Sequence, residues 1–172
     1  MFYKIFKFIK SSIIFDVKFV RTRFFMFFFN LIPNFYILKH VKCLFLKFTG
    51  INIKINASYV LSPFIVDKAD LITIHNGTFI NIYVHMDGNA KITIGKNSKI
   101  GPFCKFYTTN HDEKNLDFLP IIIGENVWIG ANCTILPGTK IQNNIKIAAG
   151  SVVRGNINSG TVWAGVPAVC VK

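Results

Sequence analysis

His111 offers the plainest chemistry in this sequence. It lies in a polar stretch, residues 106–120, with Asp112, Glu113 and Asp117, three of the chain's eight acids. An imidazole with an ordinary pKa of about 6.5 takes a proton from a hydroxyl or amine near neutral pH. The three acids are candidates to orient it, although adjacency alone shows no hydrogen bond. His85 follows Asn81 by four positions. It fits a second polar group of the same cleft or, more readily, a surface histidine on a turn. His40 and His75 have no such setting. Cys43, Cys104, Cys133 and Cys170 show neither metal-ligand spacing nor the density of a disulfide framework. Free thiols in a reducing compartment are therefore expected.

The element that must position His111 is a repeat. From Ile94 the chain reads in sixes, opening at Ile94 and Ile100, then after a break at Ile123, Ile129, Ile135, Ile141 and Ile147. Gly or a small residue often comes second. Upstream, Ile74, Ile80, Met86 and Ile92 keep a looser version of the spacing. A period of six makes a short strand plus a turn, and three such sides close one triangular coil. The first residue of each sextet points inward and stacks on its equivalent in the next coil. Gly and Asn at the turns accept tight or left-handed backbone. No helix or antiparallel hairpin sustains this period, so the expected fold is a left-handed parallel β-helix. The break between Cys104 and Ile123 interrupts one coil, and a loop inserted into a solenoid is where function concentrates.

The chain has 172 residues and a formal net charge of +12, unevenly spread. Residues 1–50 hold nine Lys/Arg against one acid and thirteen of the 18 Phe. The expected organisation is a basic amphipathic helical segment over 1–50 and a β-helix over 51–172. In the first segment Phe2, Ile5, Phe6, Ile9 and Ile13 share a helical face. A second helix is expected from about Asp16 to Leu31, stopped by Pro33, and a third from Phe35 to Phe48, ended by Gly50. The longest uncharged stretch, residues 24–38, contains Asn30, Pro33 and Asn34 and falls short of a bilayer span. Recurrent lysines and the lack of a small-residue cleavage site argue against a secretory signal. The Phe and Ile content is too high for a solvated nucleic-acid face, so no nucleic acid is expected. Packing on the β-helix and peripheral contact with an anionic membrane both fit the segment. The expected location is cytoplasmic, at or near the inner face of the plasma membrane.

Several ordered stretches resemble the hexapeptide-repeat sugar O-acetyltransferases, a group including the galactoside and maltose acetyltransferases and the enzymes of capsule, O-antigen and colanic-acid clusters. They are Phe79-Ile80-Asn81, Asp87, Ile92-Thr93-Ile94-Gly95, Pro102, Thr108 to Asp112, Pro120 to Gly124, Asn126 to Ala131, Pro137-Gly138, Ala148 to Val153 and Ala164-Gly165-Val166-Pro167-Ala168. The resemblance covers residues 50–172. It implies an acetyl-CoA-dependent acyltransferase that assembles as a homotrimer, with each site between two neighbouring subunits. It makes His111, sixteen residues after Gly95, the general base, and Asn81 the contact of the acceptor hydroxyl. Trp128, Ala131 and Ala149 match positions lining the pantetheine groove, and the run through Gly165 matches the adenine end. There are departures. Val169 and Cys170 stand where a basic residue commonly follows, leaving Lys172; Arg154 is a looser match to a phosphate contact; His75 stands where Gly is expected. The helical domain that completes the acceptor pocket in galactoside and maltose acetyltransferases is replaced by the Phe/Lys-rich segment.

The implied reaction is transfer of acetyl to a sugar hydroxyl of a surface polysaccharide or its precursor, without metal. N-acetylation of an amino sugar or nucleotide sugar shares the fold and the histidine and stays open. A catalytically silent β-helix scaffold is the alternative of another class. A metal-dependent hydratase on the same fold would need three ligating histidines, and His111 alone sits in a matching motif.

Overall fold

Each inward residue of a sextet needs a partner above and below it, and the computed structural model shows where those partners are. It describes residues 2–55, 58–111, 116–158 and 161–172, with backbone alone for residues 2–15 and His111. Short parallel strands stack into three walls. The first wall holds Ile53, Ile74, Ile94, Ile123, Ile141 and Ile157 in one column. The second holds Val60, Ile80, Ile100, Ile129, Ile147 and Trp163. The third holds Val66, Met86, Phe106, Ile135 and Val153. All of them except the partly buried Trp163 are buried in one core. This is the parallel β-helix expected from the repeat.

The corners explain the second half of the pattern. Between the first and second walls, Gly77, Asn97, Asn126 and Asn144 all take left-handed backbone, with φ of 73°, 56°, 56° and 63°. Asn tolerates this region better than other residues with a Cβ. Just before the turns into the third wall, the coils approach too closely for a side chain. A Cβ on Gly130 would lie 2.6 Å from the Ala149 nitrogen, and one on Gly101 would lie 2.6 Å from the Gly130 carbonyl carbon.

The helical segment differs from expectation. A single helix, α1 (Phe2–Leu31), replaces the two helices expected before Pro33. No Gly or Pro lies between Ile13 and Asp16 to break it, and Asp16 continues the helix instead of capping a new one. The third expected helix begins later: a short 3-10 turn (Tyr36–Leu38) leads into α2 (Lys39–Thr49), and Gly50 ends it at φ 109° as expected. Thr22, Met26 and Phe29 of α1 face the β-helix beside Cys43, Leu46 and Thr49 of α2.

The cap also finishes an open edge. The strand Phe64–Val66 lies at the end of the third wall. Asn30 donates to the Phe64 carbonyl at 3.1 Å and accepts from the Phe64 N–H at 2.9 Å. Asn34 makes the same exchange with Ser62, at 2.7 and 2.8 Å. Two side-chain amides thus stand in for a missing strand and block edge pairing. Lys42, fully buried, donates to Asn34 Oδ1 (2.6 Å), Ser62 Oγ (2.7 Å) and the Ile32 carbonyl (3.2 Å). Burial pushes its pKa down to about 8. Among the described residues no helix is long and apolar enough to cross a membrane.

Candidate active site

Two concave regions lie on the second and third walls. The first is a groove of about 530 Å³ on the second wall. Gly101, Gly130, Ala131, Ala148 and Ala149 form a floor of small residues, and Trp128, Lys99 and Lys146 form its sides. Trp128 is 56% exposed, and the Lys146 ammonium lies 5.9 Å from its ring centre. Asn81 opens into the same groove, with its Oδ1 accepting the Ile82 N–H at 2.8 Å. The structure therefore brings together Asn81, Trp128, Ala131 and Ala149.

The second region, about 490 Å³ on the third wall, is lined by Asp67, His85, Asp87, Tyr107, Thr109 and Asn110, among others. His85 Nε2 lies 2.9 Å from Asp67 Oδ2, and its ring meets the Tyr107 ring edge-on at 5.7 Å. His85 is therefore a held imidazole facing a cavity, on a different wall from Asn81.

The break in the repeat is an antiparallel hairpin, Thr109–His111 with Leu116–Phe118. Its backbone sets His111 opposite Leu116 and Asn110 opposite Asp117. The His111 side chain, with Asp112 and Glu113, lies outside the described residues. What is described is the anchor of the hairpin. The Asp87 carboxylate, 6% exposed, accepts from the Thr108 N–H (2.9 Å) and hydroxyl (2.6 Å) and from the Thr109 N–H (3.2 Å) and hydroxyl (3.0 Å). Asn89 Nδ2 adds a bond to Thr109 Oγ1 at 2.9 Å. A buried carboxylate with this many donors fixes the strand that carries His111. The role of Asp87 does not follow from its sequence context; its one signal there is a lone acid directly after the inward-facing Met86.

The remaining candidates lie apart from the groove lining. Arg154 is exposed after Val153 on the third wall. Gly165, at φ 102°, donates its N–H to Ser151 Oγ at 3.2 Å, just beyond the groove floor. Lys172 packs beside the strand Val162–Gly165 of the second wall, where its carbonyl accepts the Val162 N–H at 3.0 Å. Cys43, Cys104 and Cys133 are buried free thiols, and burial pushes the Cys43 pKa up to about 11. Among the described residues no group of His, Cys, Asp and Glu is placed to hold a metal ion.

Residues 120–155 match the profile of the bacterial transferase hexapeptide (six repeats). The matched segment carries the hexapeptide repeat of that family. A protein described as a candidate lipopolysaccharide biosynthesis O-acetyl transferase of Escherichia coli K12 is 37% identical over 111 residues, 54% of this chain and 56% of that protein. The galactoside O-acetyltransferase of the same organism is 33% identical over 122 residues, 67% of this chain and 60% of that protein. This hexapeptide-repeat chain thus spans between half and two thirds of these relatives. A hexapeptide-repeat acetyltransferase from Vibrio cholerae, solved with acetyl coenzyme A, superposes with a TM-score of 0.80 at 27% identity, covering 91% of this chain and 87% of that one.

Proposed function

We propose that this protein transfers acetyl from acetyl-CoA to a hydroxyl of a sugar in a surface polysaccharide or its precursor. The observation that carries this reading is the small-residue groove beside Trp128, on a fold that the Vibrio cholerae neighbour uses with acetyl coenzyme A. A floor of Gly and Ala lets backbone N–H and carbonyl groups approach an extended pantetheine arm, and Trp128 offers a flat face beside it. Lys99 and Lys146 supply positive charge for the cofactor's phosphates. Arg154, Gly165 and Lys172 lie toward the adenine end in this reading.

His111 is the general base. It takes the hydroxyl proton as the sugar oxygen attacks the thioester carbonyl, and Asn81 and His85 contact the acceptor. The tetrahedral oxyanion is held by a backbone N–H. Collapse breaks the carbon–sulfur bond, and the coenzyme A thiolate recovers the proton from the imidazolium. No covalent enzyme intermediate and no metal are required. Asp87 is a positioning residue for the His111 strand. Asn81 and the His111 hairpin lie on different walls of one chain, which favours a homotrimer in which neighbouring copies combine the two halves. The exposed Phe-rich side of the helical cap lies against an anionic membrane surface, where precursors of surface glycans are presented.

The test is release of free coenzyme A thiol from acetyl-CoA against a panel of glycans and amino sugars. Acceptor-dependent release that falls about 10²–10⁴-fold in His111→Ala is the expected result. Release unchanged in that variant removes the His111 assignment. No release, with no rise in Tm on adding acetyl-CoA, removes the transferase reading.

A further inference from the structure

Two of the three corners of the β-helix are built differently. At the first, the four left-handed positions among the described residues are Gly or Asn. At the corner between the second and third walls the equivalent column reads Tyr83, Phe103, Asn132 and Gly150, with φ of 57°, 60°, 54° and 73°. The column is set by hydrogen bonds between successive coils: Phe103 N–H to the Ile82 carbonyl, Asn132 N–H to Pro102, and Gly150 N–H to Ala131. Large aromatic residues are rare outliers in this backbone region, and Asn would fold there with less strain. Their side chains are not drawn into the core in return. Tyr83 is 45% exposed and Phe103 49%, and their rings stack at 5.1 Å with planes 5° apart.

Their place along the corner gives the reason. Asn132 and Gly150 adjoin Ala131 and Ala149, the floor assigned above to the cofactor. Phe103 and Tyr83 continue the same line upward. Tyr83 sits midway between Asn81 and His85, and Phe103 adjoins the groove residue Pro102. An acyl group at the upper end of the groove would therefore meet its acceptor beside the two rings. Strain kept where exposed aromatics adjoin hydrogen-bonding groups is a mark of a binding site.

We infer that Tyr83 and Phe103 form the acceptor-ring subsite, an aromatic pair against which a pyranose lays a face rich in C–H groups while its hydroxyls turn to Asn81 and His85. Sugars suit such a pair because one side of the ring presents hydrogens to the negative aromatic face and the rim presents hydroxyls to polar neighbours. The inference rests on the acetyl-transfer reading for the direction of the cofactor, and its test has a binding arm independent of transfer.

The test uses Tyr83→Asn, Phe103→Asn and the double variant, because Asn already occupies this backbone conformation at Asn132. The probe is methyl β-D-galactopyranoside, which carries the axial hydrogens of C1, C3 and C5 on one face, compared with other methyl pyranosides. Saturation-transfer NMR on wild type is expected to show contact at the ring hydrogens of at least one probe, lost in the double variant. In the thiol-release assay KM for that probe rises about tenfold per ring removed. The Tm shift caused by acetyl-CoA stays the same, and the variants' own Tm is unchanged or higher. Contact without transfer would keep the subsite and remove the transferase reading. Transfer with unaltered KM in the double variant would overturn the subsite and keep the transferase. So would absence of contact from every pyranoside with wild type, or a double variant whose only change is its oligomeric state, which would make the pair a contact between copies.

Discussion

The helical cap and the β-helix bury their apolar residues by opposite rules. In the β-helix the first residue of each described sextet enters a buried column, and the apolar side chains that stay outside, Trp128, Tyr83 and Phe103 among them, sit at other positions of the repeat. The cap buries one stripe, through Thr22, Met26 and Phe29, and leaves another facing outward: Val17, Val20, Phe24, Phe28 and Leu31 on α1, with Val41, Leu44 and Phe48 on α2. Ring contacts run along and between the helices here, Phe24 to Phe28 within α1 at 5.0 Å and Phe25 across to Phe48 of α2 at 5.3 Å. A repeat fold satisfies its own hydrophobicity, because each coil covers the next. A two-helix cap has only one side to give to the core, so the composition of its other side reflects what lies beyond the protein.

The sharpest way to test this contrast is to compare two phenylalanines on one helix. Phe29 is fully buried against Phe64, with ring centres 6.3 Å apart, whereas Phe24 is 55% exposed. Phe29→Ala should cost about 3–5 kcal/mol of stability, as cavity-forming aromatic truncations do. Phe24→Ala should stay within about 0.5 kcal/mol. Chemical denaturation of both variants checks the pair, and equal costs would mean that the cap packs through both sides.

Within the β-helix the sensitive positions are the tight turns more than the columns. Gly130→Ala places a methyl group against the Ala149 backbone, which has no rotamer to yield. The expected loss is about 3 kcal/mol, since overpacking against a rigid neighbour is relieved only by backbone movement. Gly150→Ala meets nothing within 4 Å but carries φ 73°, so its cost comes from the backbone alone and should be smaller, about 1 kcal/mol. If Gly150→Ala were the worse of the two, close coil packing would not be what selects glycine here.

These differences also decide what the sequence made legible. The β-helix could be read because its period is chemical: Ile123, Ile129, Ile135, Ile141 and Ile147 announce three walls without knowledge of any contact. The break at residues 106–120 was legible for the same reason, as a departure from a rule. The cap has no such rule, and two helices were expected where Phe2–Leu31 is one. The polar joints, Lys42 with Asn34 and Ser62, and Asp87 with Thr108 and Thr109, unite residues 8 to 22 positions apart. Spacings of that kind follow from coil lengths that loops make irregular. The aromatic pair was hidden because it breaks a rule that only φ reveals, and Tyr83 and Phe103 look like ordinary members of their sextets.

Lys42 lies at the seam between the two regions and allows a finer test. Its pKa of about 8 in the folded chain is below the 10.5 of an exposed lysine. Below pH 8 the ammonium is charged in both states and the folded state bears the cost of its burial. Above pH 8 the unfolded chain holds the proton more tightly, so stability rises with pH until about 10.5, where both states are neutral. Between pH 7 and 9 the stability of wild type relative to Lys42→Met should rise by about 1 kcal/mol. Taking the difference cancels titrating groups that do not feel Lys42; Cys43, which does, has its pKa pushed up to about 11 by burial and stays a thiol over this range. A flat difference would mean that the three acceptors around the ammonium offset its desolvation.

The smallest effect on stability belongs to the outer side of the cap, and there the change should appear in association instead. Phe24→Ser with Phe28→Ser removes the centre of the aromatic surface while leaving Met26 and Phe29 in the core. Stability should move by no more than about 0.5 kcal/mol. Sedimentation with vesicles containing anionic lipid should fall to the background seen with neutral vesicles, because apolar insertion and headgroup attraction act together and either alone is weak. Added salt should weaken wild-type association, as it screens the excess of nine Lys/Arg over one acid in residues 1–50. Wild-type protein that stays in solution with anionic vesicles, or a double variant that still sediments, would remove the membrane assignment. The exposed stripe would then be cover for another protein surface, and the contrast between the inward columns of the β-helix and the outward stripe of the cap would remain with a different partner.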